Sequence, residues 1–162
     1  MESLTFRTAG RGDCALVLKF IKAIAEYEKM SDEVIADEAV LESELFDKGR
    51  AEVIFAVYDG KEVGFALFFH NFSTFVGRAG LYLEDIFIYP EYRGRGIGKA
   101  LLMRVVKIAK ERNCGRVEWV CLDWNKPNVD FYLSLGARPM SGWTLYRLDK
   151  CSIDTLIERS GE

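Results

Sequence analysis

The tightest restriction on the fold of this chain is the run Arg93-Gly94-Arg95-Gly96-Ile97-Gly98. Its three glycines stand at alternate positions, between an apolar stretch stopped by Pro90 and a stretch with apolar residues at helical spacing. A strand, a glycine-rich turn and a helix must therefore follow one another directly. Such a junction binds anions. Glycine lets backbone N–H groups approach a ligand without a Cβ in the way, and the helix adds unpaired N–H groups and the positive end of its dipole. Arg93, Arg95 and Lys99 add charge. A P-loop, G-x-x-x-x-G-K-[ST], is excluded, because Arg93 holds its first glycine's place and Ala100 the place of its hydroxyl residue. A dinucleotide fingerprint is a weak match, since Lys99 occupies its third glycine's place and the unit comes late in an antiparallel layout.

The elements around this junction follow from periodicity. Leu16, Phe20, Ile24 and Tyr27 predict a helix over Asp13–Glu28 with Asp13 as its N-cap. A second helix is expected over Asp37–Phe46, with Val40, Leu41 and Leu45 inward. Glu52–Tyr58 and Val63–Phe69 read as strands joined at Asp59-Gly60, a pair suited to a tight hairpin. Asn71–Gly77 reads as a loop, Arg78–Tyr89 as a third strand and Ile97–Arg112 as a long helix. A strand Arg116–Leu122 and a short helix from Asn125 to Leu135 follow, with Pro127 in its first turn and Gly136 after its end. Trp143–Leu148 is expected as a last strand and Ile153–Ile157 as a last helix, capped by Ser152. The fold class is α+β, a mixed sheet covered by helices, in a single domain of 162 residues.

Composition narrows the function. Twenty-two basic against 25 acidic side chains give a net charge of −3, without the basic excess typical of nucleic-acid binders. No stretch reaches the roughly 18 apolar residues of a membrane span, and Met1–Thr5 has neither the charge nor the apolar core of a signal peptide. Cys14, Cys114, Cys121 and Cys151 are scattered and His70 is the sole histidine, so no zinc site is expected. Reduced thiols and a cytoplasmic location are expected instead. His70 reads as a strand-end residue, because no G-x-S-x-G elbow accompanies it.

The spacing Arg-x-x-Gly-x-Gly from Arg93 to Gly98 resembles the acyl-CoA pyrophosphate loop of the GNAT N-acetyltransferases. Leu81–Ile88 before it, Asp123–Pro127 and Phe131-Tyr132 after it, and Gly136-Ala137 are similar to the diamine (spermidine/spermine) acetyltransferase branch. So is the N-terminal run from Ile21-Lys22 through Ala25–Met30. The resemblance covers nearly the whole chain. It implies a GNAT-like acyl-CoA N-acyltransferase fold with a central, mostly antiparallel twisted sheet. It also implies acetyl-CoA as donor, a small-molecule primary amine as acceptor and a homodimer, with no nucleic acid, membrane or metal partner.

The resemblance also implies residue roles. Glu84 is the base, acting through water, with Asp85 as second acid or relay, and Tyr132 is the acid toward the CoA thiolate. The pyrophosphate belongs to Arg93, Gly94, Arg95, Gly96, Ile97, Gly98 and Lys99. The backbone of Ile86, Phe87 and Ile88 pairs with the pantetheine arm as an added strand, and Asn125 holds that arm or caps its helix. Tyr27, Glu28, Glu84, Asp85 and Trp143 line the amine site. The amine must attack as a neutral nitrogen, although an alkyl amine has a pKa of about 10.4, so a group that removes its proton is required. Strand alternation sends Glu84 and Asp85 to opposite faces unless a bulge intervenes, with Leu81, Leu83 and Phe87 beside Asp85 and Tyr82, Ile86 and Ile88 beside Glu84. The loop Arg138–Trp143 is shorter and less acidic than in polyamine enzymes, which leaves a diamine, a polyamine and a lysine-like amino acid open as acceptors. A protein lysine or N-terminus, and a non-catalytic acyl-CoA-binding module, are the alternative readings.

Overall fold

The computed structural model describes residues 3–161. The chain forms two compact units, Met1–Val120 and Cys121–Glu162. The first holds a five-stranded sheet in sequential order: β1 (Leu4–Thr8), β2 (Glu52–Tyr58), β3 (Lys61–Ser73), β4 (Arg78–Ile88) and β5 (Val117–Glu118). All pairings are antiparallel except β4 with β5. The β2–β3 hairpin forms where expected, because Asp59 and Gly60 both adopt left-handed backbone, with φ of 48° and 77°. The edge strand β1 was not anticipated; its five residues are too few to show a period against a polar flank.

Helices cover both faces of this sheet. On one side α1 (Cys14–Tyr27), α2 (Glu38–Glu42) and the turn after it bury Val17, Phe20, Leu41 and Leu45 against Val53, Phe55, Phe65 and Phe87. Phe20 stacks on Phe65 and Tyr89, at ring-centroid distances of 5.0 and 4.8 Å. On the other side α3 (Ile97–Glu111) packs on β3 and β4 and buries Ile97, Leu101, Leu102, Val105 and Ile108. Asp13 holds the position before α1, but its carboxylate does not cap that helix. It accepts from the Gly10 amide and from the Arg7 guanidinium instead.

Several boundaries differ from the sequence expectation. The second helix passes into a π-turn over Ser43–Asp47, and Val40 faces solvent while Leu41 and Leu45 turn inward. The stretch Asn71–Ser73 is strand, because it pairs with Arg78–Gly80, so the connecting turn is shorter. β5 has two residues rather than seven. Its pairing with β4 stops at Tyr82–Glu118, shortly before a bulge in β4, and bulges end ladders by twisting the strand away.

The second unit contains α4 (Lys126–Ser134) and α5 (Lys150–Ser160). Trp143–Leu148 is not a strand: no segment pairs with it among the described residues, and Trp143, Leu145, Tyr146 and Leu148 are exposed. An alternating pattern makes a strand only where a neighbour accepts its hydrogen bonds. α5 is longer than expected, and its cap is Asp149, which accepts from the Ser152 amide at 2.8 Å, not Ser152. No helix among the described residues is long and apolar enough to cross a membrane.

Candidate active site

Within the first unit, β4 runs into the glycine loop and then into α3. Pro90–Tyr92 makes one 3-10 turn after the strand. Gly94 and Gly96 then take left-handed conformations, with φ of 75° and 76°, which an L side chain rarely adopts. Gly96 is the residue before α3, and its carbonyl accepts from the Ala100 amide. The amides of Ile97, Gly98 and Lys99 thus precede the first helical bond and point out of the helix end. Among the described residues no strand borders Leu83–Ile88 on the β5 side, so the backbone groups of Ile86 and the Ile88 amide meet no strand there, while those of Phe87 face β3. Turn, helix start and open edge fit an elongated ligand with a phosphate group and amides.

The charged side chains of the loop differ from one another. Lys99 is exposed. The Arg95 guanidinium lies over the rings of Tyr58 and Tyr92, at 5.6 and 5.7 Å. Arg93 turns back toward the strand. Its Nε donates to the Ile88 carbonyl at 2.9 Å, and its guanidinium carbon sits 4.8 Å from the Tyr27 ring and 5.2 Å from the Phe87 ring.

The two acids of β4 depart from simple alternation. Leu67 lies opposite Asp85 and Phe68 opposite Leu83, so Glu84 is an extra residue, a β-bulge. The bulge inverts the face pattern. Asp85 and Phe87 oppose Leu67 and Phe65, on the face where Tyr82 opposes and stacks with Phe69. Leu83 instead shares its face with Ile86 and Ile88. The simple expectation is therefore corrected: Asp85 keeps Phe87 as a neighbour, loses Leu81 and Leu83, and gains Tyr82.

Electrostatics follow from this crowding. Asp85 is half-buried, and its carboxyl is pushed up to about 7, first by burial and then by the negative charges of Glu84 and Glu28. Burial also raises the Glu28 carboxyl. Glu28 stands at the C-terminal end of α1, directly after Tyr27. The Tyr82 hydroxyl is raised by burial and by Glu84 and Glu118. Glu84 is exposed. The fold thus gathers Glu28, Glu84 and Asp85 from α1 and β4, with the rings of Tyr27 and Phe87 in edge-to-face contact at 6.3 Å. The bulge at Glu84, which brings Tyr82 to the face of Asp85, and the direction of the Arg93 side chain leave no local signature in the sequence.

The remaining candidates lie in the second unit. Asn125 is buried and caps α4 by accepting from the Asn128 amide at 3.4 Å, the capping half of its expected role. Tyr132 lies on α4 beside Phe131, with ring centroids 5.5 Å apart. Trp143 is exposed.

Comparison with known proteins gives this arrangement a family. The acetyltransferase (GNAT) family model matches residues 20–137. The chain is 38% identical to a thialysine N-epsilon-acetyltransferase of Sus scrofa, over 92% of this chain and 94% of that one. It is 30% identical to the spermidine/spermine N(1)-acetyltransferase-like protein 1 of Homo sapiens, over 93% of this chain and 23% of that one. An integron cassette protein from the mobile metagenome of V. cholerae has a similar structure, with a TM-score of 0.79 and 28% identity, covering 96% of this chain and 98% of that one. This family's enzymes take acetyl-CoA as donor, and the chain belongs to it, as a GNAT N-acetyltransferase of the diamine acetyltransferase-like branch.

Proposed function

We propose that this enzyme acetylates a primary amine of a small cationic molecule, a lysine-like amino acid or a diamine or polyamine. The observation that carries this reading is the bulge of β4, which puts Asp85 next to Glu84 and within the field of Glu28, on the strand that leads into the glycine turn. Acids in this number favour a cation. The relatives named for thialysine and for spermidine/spermine support the same class of acceptor.

In this reading the amine nitrogen attacks the acetyl carbonyl carbon. The C–N bond forms and the C–S bond breaks. Glu84 takes the nitrogen's proton through a water molecule, with Asp85 as the neighbouring acid. Tyr132 gives a proton to the departing CoA thiolate, as a phenol that is protonated at neutral pH can. Gly94, Arg95, Gly96, Ile97, Gly98 and Lys99 hold the pyrophosphate, Arg93 opens their turn with its side chain folded back on β4, and Ile86–Ile88 hold the pantetheine amides. Asn125 stands at the start of the helix that carries Tyr132. Tyr27, Glu28 and Trp143 line the amine site. Both compact units act as one acetyltransferase domain, a reading supported by a family match that runs from residue 20 to residue 137. The same reading makes the enzyme a cytoplasmic homodimer. Four free cysteines suit a reducing compartment, and the exposed apolar run Trp143–Leu148 suits a partner.

The test is thiol release from acetyl-CoA with spermidine, spermine, putrescine, lysine, thialysine and a lysine peptide, against a blank without amine. Fast release is expected with at least one small amine. Labelled acetate entering protein, with no small amine used, overturns the acceptor. Glu84→Gln is expected to lower kcat about a hundredfold or more with acetyl-CoA binding retained. Tyr132→Phe is expected to slow the same step, and full turnover by both variants removes these two roles.

A further inference from the structure

Arg93 opens the glycine turn, yet its side chain leaves the turn. Its backbone is extended, with φ of −72° and ψ of 164°, and sends the side chain back along β4. The Nε–H bond to the Ile88 carbonyl fixes the guanidinium, which then lies over two rings at once, Tyr27 at the end of α1 and Phe87 of β4. Tyr27 directly precedes Glu28, and Phe87 shares its sheet face with Asp85. A planar, delocalised cation stacks on aromatic faces in a way an ammonium cannot reproduce.

From this geometry we infer that Arg93 is a positioning residue that couples the cofactor turn to the amine site, by holding the Tyr27–Phe87 wall in register with the turn. The inference rests on the reading that Tyr27 and Glu28 line the amine site. Its consequence is specific. The turn, through Arg93, holds the ring beside Glu28 in place, so losing the stack weakens amine binding and leaves the amides of the turn to the cofactor. A residue that served only the pyrophosphate would affect the cofactor alone.

The test uses the full chain, the best amine of the panel and a small set of variants. The amine KM is measured at saturating acetyl-CoA, and the acetyl-CoA Kd by calorimetry. Arg93→Lys keeps the charge and loses the stack and the fixed Nε donor. It is expected to raise the amine KM about fivefold or more, and to change the acetyl-CoA Kd by less than about threefold. Tyr27→Leu is expected to raise the amine KM similarly, and the double variant no further than the larger single effect, because both remove one contact. Tyr27→Phe keeps the ring face, so Arg93→Lys keeps its effect in that background. An amine KM unchanged by Arg93→Lys, or effects that multiply in the double variant, overturns the inference. If Tyr27→Leu does not fold, the division between amine KM and acetyl-CoA Kd in Arg93→Lys decides. If the unaltered enzyme turns over no amine, the acceptor reading falls and this inference with it; turnover with multiplying effects removes the inference alone.

Discussion

Asp85 is held in a state that free aspartate does not occupy near neutrality. Burial and the charges of Glu84 and Glu28 raise its carboxyl to about 7, against an ordinary value of 3.8. The consequence for stability has a definite sign. Below pH 3.8 the group is neutral in both the folded and the unfolded chain, and no cost arises. Between 3.8 and 7 the unfolded chain releases the proton and the folded chain keeps it, so this group destabilises the fold progressively as pH rises; above 7 the cost is complete. Asp85→Asn should therefore stabilise the protein at pH 8 by about 1–3 kcal/mol, with the gain vanishing toward pH 4. Denaturant melts across that range check it, and a gain that grows toward acid refutes it. The same variant should lose activity, as strained site residues commonly trade stability for function. If Asp85 is the acid that titrates in catalysis, kcat/KM rises through about pH 7 in the unaltered enzyme, and that limb moves to lower pH in Glu84→Gln, because one raising charge is gone.

Two elements depend on a single small residue or cap. Gly64 of β3 faces the end of β4, where an added Cβ would stand 2.2 Å from Ile88 Cδ1 and 2.8 Å from the Phe87 carbonyl oxygen. The Ile88 methyl can swing away, but the carbonyl belongs to the strand that leads into the glycine turn. Gly64→Ala should therefore destabilise by about 2–3 kcal/mol and weaken acetyl-CoA binding, measured by melts and calorimetry. In the second unit, Asn125→Ala removes the side-chain acceptor that begins α4. A loss of about 1 kcal/mol is expected, and an unchanged melting temperature would show that the cap contributes nothing.

The first unit has a sheet with apolar side chains buried on both faces, so it carries its own core. The second has no buried residue on either of its helices and exposes Trp143, Leu145, Tyr146 and Leu148 in close succession. Exposed apolar runs of this kind mark interaction surfaces. Sedimentation equilibrium at micromolar concentration should give twice the chain mass of 18.5 kDa. Leu145→Asp should shift the protein toward monomer, whereas a monomeric unaltered protein would defeat the homodimer.

The limits of β2, the Asp59-Gly60 turn, the span of α1 and the succession of β4, glycine turn and α3 were all legible in the amino acids. Each arises from forces acting within a few residues: side-chain period, glycine's access to left-handed backbone, and proline's missing donor. The glycine turn was legible for the same reason, whereas the roles of Glu84 and Asp85 came only with the family resemblance. Other features were settled by pairing between distant segments. Leu67 and Phe68 choose Asp85 and Leu83 as partners, and that register makes Glu84 a bulge and reverses the faces of β4. The same long-range packing brings Glu28 within the field of Asp85, folds Arg93 onto Tyr27, shortens β5 and leaves Trp143–Leu148 without a strand partner among the described residues. Register and side-chain meeting are properties of two segments at once, so the local pattern of either one does not contain them.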